Sequence, residues 1–242
     1  SLLARVNLGS RFSERVQILM GSFPARSFEE LFQGVRSLPG EQWIGKKDAF
    51  PVKGRSLQSK LFSVPVCQSI VKKAVVERLK QRHHVSWFEE TGALYPIQFL
   101  ILKDQVSVMI DTSGAGLHKR GYRASSTEAP IKETLAAAMV HLSRVRPDGT
   151  VIDPFCGSGT LLIESALYAR NIAPGLQRHF TAEHWEGIDA SVWQREKERA
   201  RDLVRREADF QGIGYDIDGA AVELTLANAK KAGVIAQIRA SR

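Results

Sequence analysis

The chain has 242 residues, 43% of them apolar and 25% charged, with a formal net charge of +8. This describes a globular protein with a real core, in one large domain or two ordinary ones. No apolar run approaches the ~20 residues of a membrane-spanning helix, so no membrane role is expected. Two cysteines, Cys67 and Cys156, make no disulfide framework and point to a reducing cytoplasm. No Cys or His pair stands at zinc spacing, so no metal is expected. The start, Ser1–Arg5, lacks the long apolar core of a signal peptide and reads as a start within a longer protein.

The charge is unevenly placed. Residues 1–124 hold 19 Lys and Arg against 10 Asp and Glu, and residues 125–242 hold 15 against 16. A basic bias confined to one half suits contact with a polyanion, while the other half does chemistry; solubilising surface charge is the alternative.

In chain order, Val16–Met20 reads as a strand. Ser27 and Glu30 form a capping box, and Phe28, Leu31, Phe32, Val35 and Leu38 recur at helical spacing up to Pro39-Gly40. A short strand is expected near Phe50–Lys53, then a basic polar loop over 53–60 with Lys53, Arg55 and Lys60. Residues 68–80 form a helix with Ile70, Val71, Ala74, Val75 and Leu79 on one face and Lys72 and Lys73 away from it. Those lysines are RNA candidates, with a solvated face as the alternative. Ile97–Leu102 and Val106–Asp111 flank Lys103-Asp104-Gln105 as a hairpin. The order strand, helix, strand, helix, strand, strand gives an α+β domain near residues 1–112.

His118-Lys119-Arg120-Gly121-Tyr122-Arg123 gathers cations and an aromatic that can hold phosphates and stack on unpaired bases. A plain interdomain linker is the alternative. Ser125–Glu128 is the expected boundary, dividing the chain into 1–124 and 125–242. A helix starts over 129–139, with Pro130 near its first turn.

Val151-Ile152-Asp153-Pro154-Phe155-Cys156-Gly157-Ser158-Gly159-Thr160 then reads as a buried parallel strand, a tight glycine turn and a helix start. The helix N-terminus offers free N–H groups to a cofactor over the turn. A dinucleotide motif needs a third glycine where Leu162 stands. A phosphate loop needs a Lys after Gly159, and none is there. Asp153 beside a two-glycine turn suits a ligand carrying a cation and a ribose better than a pyrophosphate.

Asn171–Leu176 breaks the following helix, and Trp185, Trp193 and a charged helix over 194–209 follow. Both tryptophans are expected to pack. A second strand ends in acid at Gly212-Ile213-Gly214-Tyr215-Asp216-Ile217-Asp218. Asp216 can accept both ribose hydroxyls of a nucleoside cofactor. Asp218 either approaches the adenine or caps the helix Gly219–Lys231, and both can hold. Residues 236–240 begin a third strand.

The run Asp153–Thr160 resembles the first motif of class I S-adenosylmethionine-dependent methyltransferases. Its Pro-Phe-Cys variant is similar to those acting on exocyclic amines of nucleic-acid bases. Lys60–Pro65, Ile70–Ala74 and Asp111–Arg123 resemble the THUMP RNA-binding module. Together with residues 129–160 the resemblance covers most of the chain and is nearest to guanine-N2 methyltransferases of large-subunit (23S) ribosomal RNA, a group often labelled adenine-specific DNA methylases by motif alone. It implies a partial Rossmann-like domain after an α+β THUMP-like domain. It also implies S-adenosylmethionine as cofactor, held by Asp153–Thr160 and Asp216–Asp218, with Lys132 and Thr134 as further candidates from a helix bordering the pocket. Ribosomal RNA is the implied partner. The start looks trimmed beside the family's N-terminal region.

The family's catalytic loop reads Asn- or Asp-Pro-Pro-Tyr/Phe, and this sequence has no Pro-Pro. The chain is therefore expected to be a fragment, inactive by itself, and its catalytic residues are not identified. Cys156 sits in the cofactor turn and is not a nucleophile candidate. A DNA adenine-N6 methyltransferase and a non-catalytic RNA-binding protein with a degenerate methyltransferase fold are the competing readings.

Overall fold

The computed structural model describes residues 1–123 and 130–242. In chain order its elements are α1 (Leu2–Gly9), β1 (Gln17–Pro24), α2 (Phe28–Ser37), β2 (Val52–Leu57), α3 (Val64–His83), β3 (Ile97–Leu102), β4 (Gln105–Asp111), α4 (Glu133–Leu142), β5 (Thr150–Asp153), α5 (Thr160–Ala169), α6 (Ala190–Asp202), β6 (Gln211–Tyr215), α7 (Gly219–Lys231) and β7 (Ile238–Ser241).

The chain forms two compact units, interleaved rather than consecutive. One comprises Ser1–Glu14, Ala115–His179 and Ser191–Arg242; the other comprises Arg15–Gly114 and Phe180–Ala190. The expected boundary at Ser125–Glu128 and the expected helix start at Ala129 lie outside the described residues. Interleaving also redistributes the charge. The Arg15–Gly114 unit with its insert carries 14 Lys and Arg against 12 Asp and Glu, and the other unit 20 against 14. The basic excess of the first half is therefore not the property of one folded unit.

The Arg15–Gly114 unit is a four-stranded sheet in the order β1-β4-β3-β2. β2 runs parallel to β3, and the other pairs are antiparallel. The β3–β4 hairpin closes through Lys103 and Asp104, both at positive φ (51° and 62°), as a two-residue turn requires. Ile97, Phe99, Ile101, Val106, Val108 and Ile110 alternate into the core, as a half-covered sheet demands. The Ser27 hydroxyl caps α2 by accepting from the Glu30 N–H at 3.2 Å. The expected basic loop over 53–60 is mostly strand: 52–57 pair with 97–102. The sequence missed this because glycine and serine interrupt the apolar alternation there. Trp185, from the insert, is 2% exposed and stacks on Tyr95 at 4.5 Å.

In the other unit, β5, β6 and β7 form a parallel sheet in that order. Helices α5 and α7 touch each other and pack on this sheet. Gly214 lies under them: a Cβ there would meet Leu162 at 2.8 Å and the Cys156 sulfur at 3.0 Å. Leu162, Ile163, Ala166, Ala229, Val234 and Ile238 form the core. Ile152, expected to be buried, is 62% exposed. Strand neighbours alternate faces, and Ile152 falls on the face away from Gly214. Helix α4 starts at Glu133, three residues later than Pro130 suggested, with Lys132 at its N-cap.

Candidate functional site

The first parallel strand ends at Asp153, and the backbone then needs two positive-φ residues to reverse into α5. Gly157 (φ 53°) and Gly159 (φ 78°) supply them. Helix α7 clamps the turn from below. The Thr225 hydroxyl donates to the Gly157 carbonyl at 2.9 Å, and the Asn228 amide donates to the Ser158 carbonyl at 3.1 Å. Both side chains are essentially buried. The sequence reading missed them. The signal was there: two polar residues three apart share a helix face that also carries Ala221 and Ala229.

Asp216 follows β6 and reaches the same turn. Its carboxylate accepts from the Gly157 N–H at 2.9 Å and from the Asp218 N–H at 3.0 Å. These two backbone donors hold its carboxyl below the usual range, so it stays ionised at neutral pH. Each of its oxygens has a further lone pair for a ligand hydroxyl. Phe155 (87% exposed) and Ile217 (86%) offer bare apolar surface on either side. Pro154 is exposed as well. The site therefore lies outside the carboxyl ends of adjacent parallel strands, where open α/β sheets bind ligands.

The remaining candidates here divide. Asp153 is half-buried and accepts from the Phe155 N–H at 3.1 Å, which shapes the turn. Asp218 caps α7, accepting from the Ala220 N–H at 2.9 Å. Burial pushes the Cys156 thiol up. The Ser158 hydroxyl is buried and lies 3.4 Å from that of Thr160. Lys132 and Thr134 both turn to Glu14: the ammonium stands 2.8 Å from it and the hydroxyl donates at 2.7 Å. Burial works against the ionised Glu14, yet these hydrogen bonds and the Lys132 charge hold its pKa at about 2.

Arg123 links this region to the glycine turn. It donates to Glu133 at 3.0 Å, to the Ile131 carbonyl at 3.0 Å and to the Thr160 hydroxyl at 3.0 Å. Beside it lies a cavity of ≈ 460 Å³, lined among others by His118, Lys119, Ile131 and Lys132. His118 faces Glu14 at 3.1 Å, and Lys119 is exposed.

Arg120 and Tyr122 do not belong with these. Arg120 is 3% and Tyr122 2% exposed. Arg120 donates to the carbonyls of Leu117 and Arg11 and stands 3.4 Å from Glu164, and the Tyr122 hydroxyl donates to Glu164 at 3.1 Å. Both hydrogen-bond a carboxylate buried in α5, and both are themselves buried, so neither is free to grip a nucleotide. Lys72 is likewise spent, donating to Glu90 at 2.6 Å and to the Phe50 carbonyl at 3.1 Å, 3.6 Å from the Phe50 ring. Lys53, Arg55, Lys60 and Lys73 are exposed, Lys73 lying 5.8 Å from the Phe32 ring.

The chain thus holds an α/β unit with an acid-and-glycine turn at its strand ends and an α+β unit. The RMKL-like methyltransferase domain matches residues 120–242, and the THUMP domain matches residues 25–111. This chain belongs to the RMKL-like methyltransferase family. It is 44% identical over 234 residues to YpsC of Bacillus subtilis (strain 168), named as a candidate RNA methyltransferase, covering 96% of this chain and 61% of YpsC. It is 33% identical over 244 residues to the ribosomal RNA large subunit methyltransferase K/L of Shewanella baltica (strain OS155), covering 97% of this chain and 34% of that one. The solved structure of SMU.472, a candidate methyltransferase in complex with SAH, superposes with a TM-score of 0.93 at 42% identity, covering 98% of this chain and 63% of that one. The chain thus spans less than two thirds of the length of each of these relatives.

Proposed function

We propose that this chain binds S-adenosylmethionine over the Gly157–Gly159 turn and serves methyl transfer to an exocyclic base amine of RNA, guanine N2 of large-subunit ribosomal RNA being the first substrate to test. One observation carries the reading: the ionised Asp216 is held against Gly157 at the carboxyl ends of β5 and β6. The residues fit the cofactor. Asp216 suits two ribose hydroxyls, Phe155 and Ile217 suit a purine face, and the start of α5 presents N–H groups to polar atoms. Lys132 and Thr134 are assigned to the pocket border rather than to direct contact, because both side chains are engaged by Glu14.

When bound, the cofactor supplies an electrophilic methyl group on a sulfonium. The chain's own part is to orient: Thr225 and Asn228 fix the turn, and Arg123 fixes its far end through Thr160. Holding the reacting partners in line supplies most of the rate gain in such a transfer. RNA contact is assigned to the exposed cations Lys53, Arg55, Lys60 and Lys73 of the THUMP-matching unit and to Lys119 beside the cavity, whose wall His118 and Arg123 form while engaged by Glu14 and Glu133. A base in a duplex must be extruded to reach such a pocket.

The test is calorimetric titration with S-adenosylmethionine, followed by single-turnover transfer of labelled methyl by the full-length protein to unmodified ribosomal RNA and to duplex DNA. Binding with transfer to RNA supports the reading. Transfer to DNA adenine alone replaces it with the DNA alternative. Cofactor binding with no transfer to either leaves the degenerate, non-catalytic alternative standing.

A further inference from the structure

Among the four tryptophans of the chain, Trp185 and Trp193 are buried and Trp43 is 36% exposed, whereas Trp87 is 77% exposed. A large aromatic left in water needs a reason, because its burial would stabilise the fold by a few kcal/mol. The segment that carries it is anchored residue by residue. It leaves α3 at His84, in the left-handed conformation (φ 54°). Phe88 is 7% exposed and meets the Phe50 ring edge-on at 5.4 Å. Glu90 accepts from Lys72 at 2.6 Å and from the Phe50 N–H at 3.3 Å. The Gly92 N–H donates to the Lys47 carbonyl at 2.6 Å. Trp87 therefore projects from a fixed ledge.

Cations lie on the loop hydrogen-bonded to that ledge. The Gly92 bond places Lys46 and Lys47 on the adjoining loop, and both are exposed. Asp48 next to them is turned inward, accepting from the Gly45 and Ala93 N–H groups. The His83 Nε2–H donates to the Ile44 carbonyl at 2.7 Å, joining the end of α3, with Arg82 and His84 exposed, to the same loop. Glu89 and Glu90 are both exposed acids on the ledge, Glu90 paired with Lys72, and Arg82 stands 3.4 Å from Glu41.

We infer that Trp87, with Lys46 and Lys47, is a contact site for unpaired RNA: one base stacks on the indole and the lysines hold flanking phosphates. An indole face accepts any base, and single-strand binders combine such platforms with a cationic rim. The charge around the ledge favours a polyanion over an apolar protein surface as the occupant. This inference rests on the proposed RNA substrate and names a surface distinct from the cavity at Arg123.

The test uses the whole chain and a fluorescein-labelled, single-stranded 12-nucleotide RNA, with the same strand annealed to its complement as the control. Trp87→Ala is expected to lower single-strand affinity roughly tenfold, and Trp87→Phe to keep most of it. RNA should quench a share of the intrinsic fluorescence that Trp87→Ala lacks. The double change Lys46→Ala, Lys47→Ala should make the log–log salt slope shallower by about 1.4, at about 0.7 per lost contact. Wild-type RNA affinity in Trp87→Ala, with unchanged circular dichroism, overturns the inference while the RNA reading stands, and points to a protein occupant instead. Equal wild-type affinity for single strand and duplex overturns the stacking role. If the wild type binds no RNA, both this inference and the RNA reading fall.

Discussion

The carboxylate of Asp216 accepts the Gly157 backbone N–H at 2.9 Å, so the acid after the second parallel strand is tied directly to the glycine turn after the first. The acid and the turn proposed to hold the cofactor are thereby one object. Replacing Asp216 with Ala should remove both the ribose contact and the brace on the turn, and weaken S-adenosylmethionine binding by on the order of a hundredfold, since hydrogen bonds to a charged group contribute about 1.5–3 kcal/mol each. Asp216→Asn keeps the shape but not the charge, and should fall between. Calorimetry checks the order, and equal affinities across the three proteins would remove Asp216 from the site.

The buried cluster around Glu164 predicts a stability effect. Glu164→Leu leaves Arg120 buried without its counter-charge and should destabilise the protein by about 3–5 kcal/mol. Tyr122→Phe removes one hydrogen bond to Glu164 and should cost about 1 kcal/mol. Urea unfolding of both variants measures the difference. A loss in Glu164→Leu no larger than that in Tyr122→Phe would show that the charge pair carries little.

Glu14 predicts a pH dependence. Its folded pKa of about 2 lies below the ordinary 4.5. Its contribution is therefore present above pH 4.5 and is lost as pH falls toward 2. The side chain is 49% exposed, so solvent screening limits the effect to about 1 kcal/mol or less. Unfolding curves of wild type and Glu14→Gln should converge as pH falls through that window. A constant gap would mean that Glu14 does not titrate there.

Gly159 predicts a steric effect. A Cβ at its φ of 78° would sit 2.7 Å from the Thr225 methyl. Gly159→Ala should cost about 2 kcal/mol through backbone strain alone, and more through the clash. Adding Thr225→Ser removes that methyl but keeps a hydroxyl for the Gly157 carbonyl, and should recover part of the loss. Thermal melting of the single and double variants decides; no recovery would locate the cost entirely in the backbone.

The glycine turn, Asp216, the helix after it and the β3–β4 hairpin were legible because each is a local pattern: acid, glycine, cap or alternation within a few residues. Arg120 and Tyr122 were misread because the sequence shows a basic, aromatic run but not the carboxylate 42 to 44 residues later that buries it. Lys72 was misread for the same reason, its partner Glu90 being 18 residues away. The interleaving of the two units left no local mark at all. A contact between Arg5 and Glu196 has no signature in either neighbourhood.

That contact also sets an order of events during synthesis. Helix α1 leaves the ribosome before the other elements described, yet Arg5 meets Glu196 only 191 residues later, and Leu8 waits for the Gly175 N–H. At about 5–20 residues per second this is a delay of roughly 10–40 s. Throughout it the unit Arg15–Gly114 can already assemble its sheet, while a short helix with Ala4 and Leu8 on its inner face stays undocked. Translation speed over residues 115–196 thus governs how long the nascent chain carries an unshielded helix, and that interval is where a chaperone has most to gain.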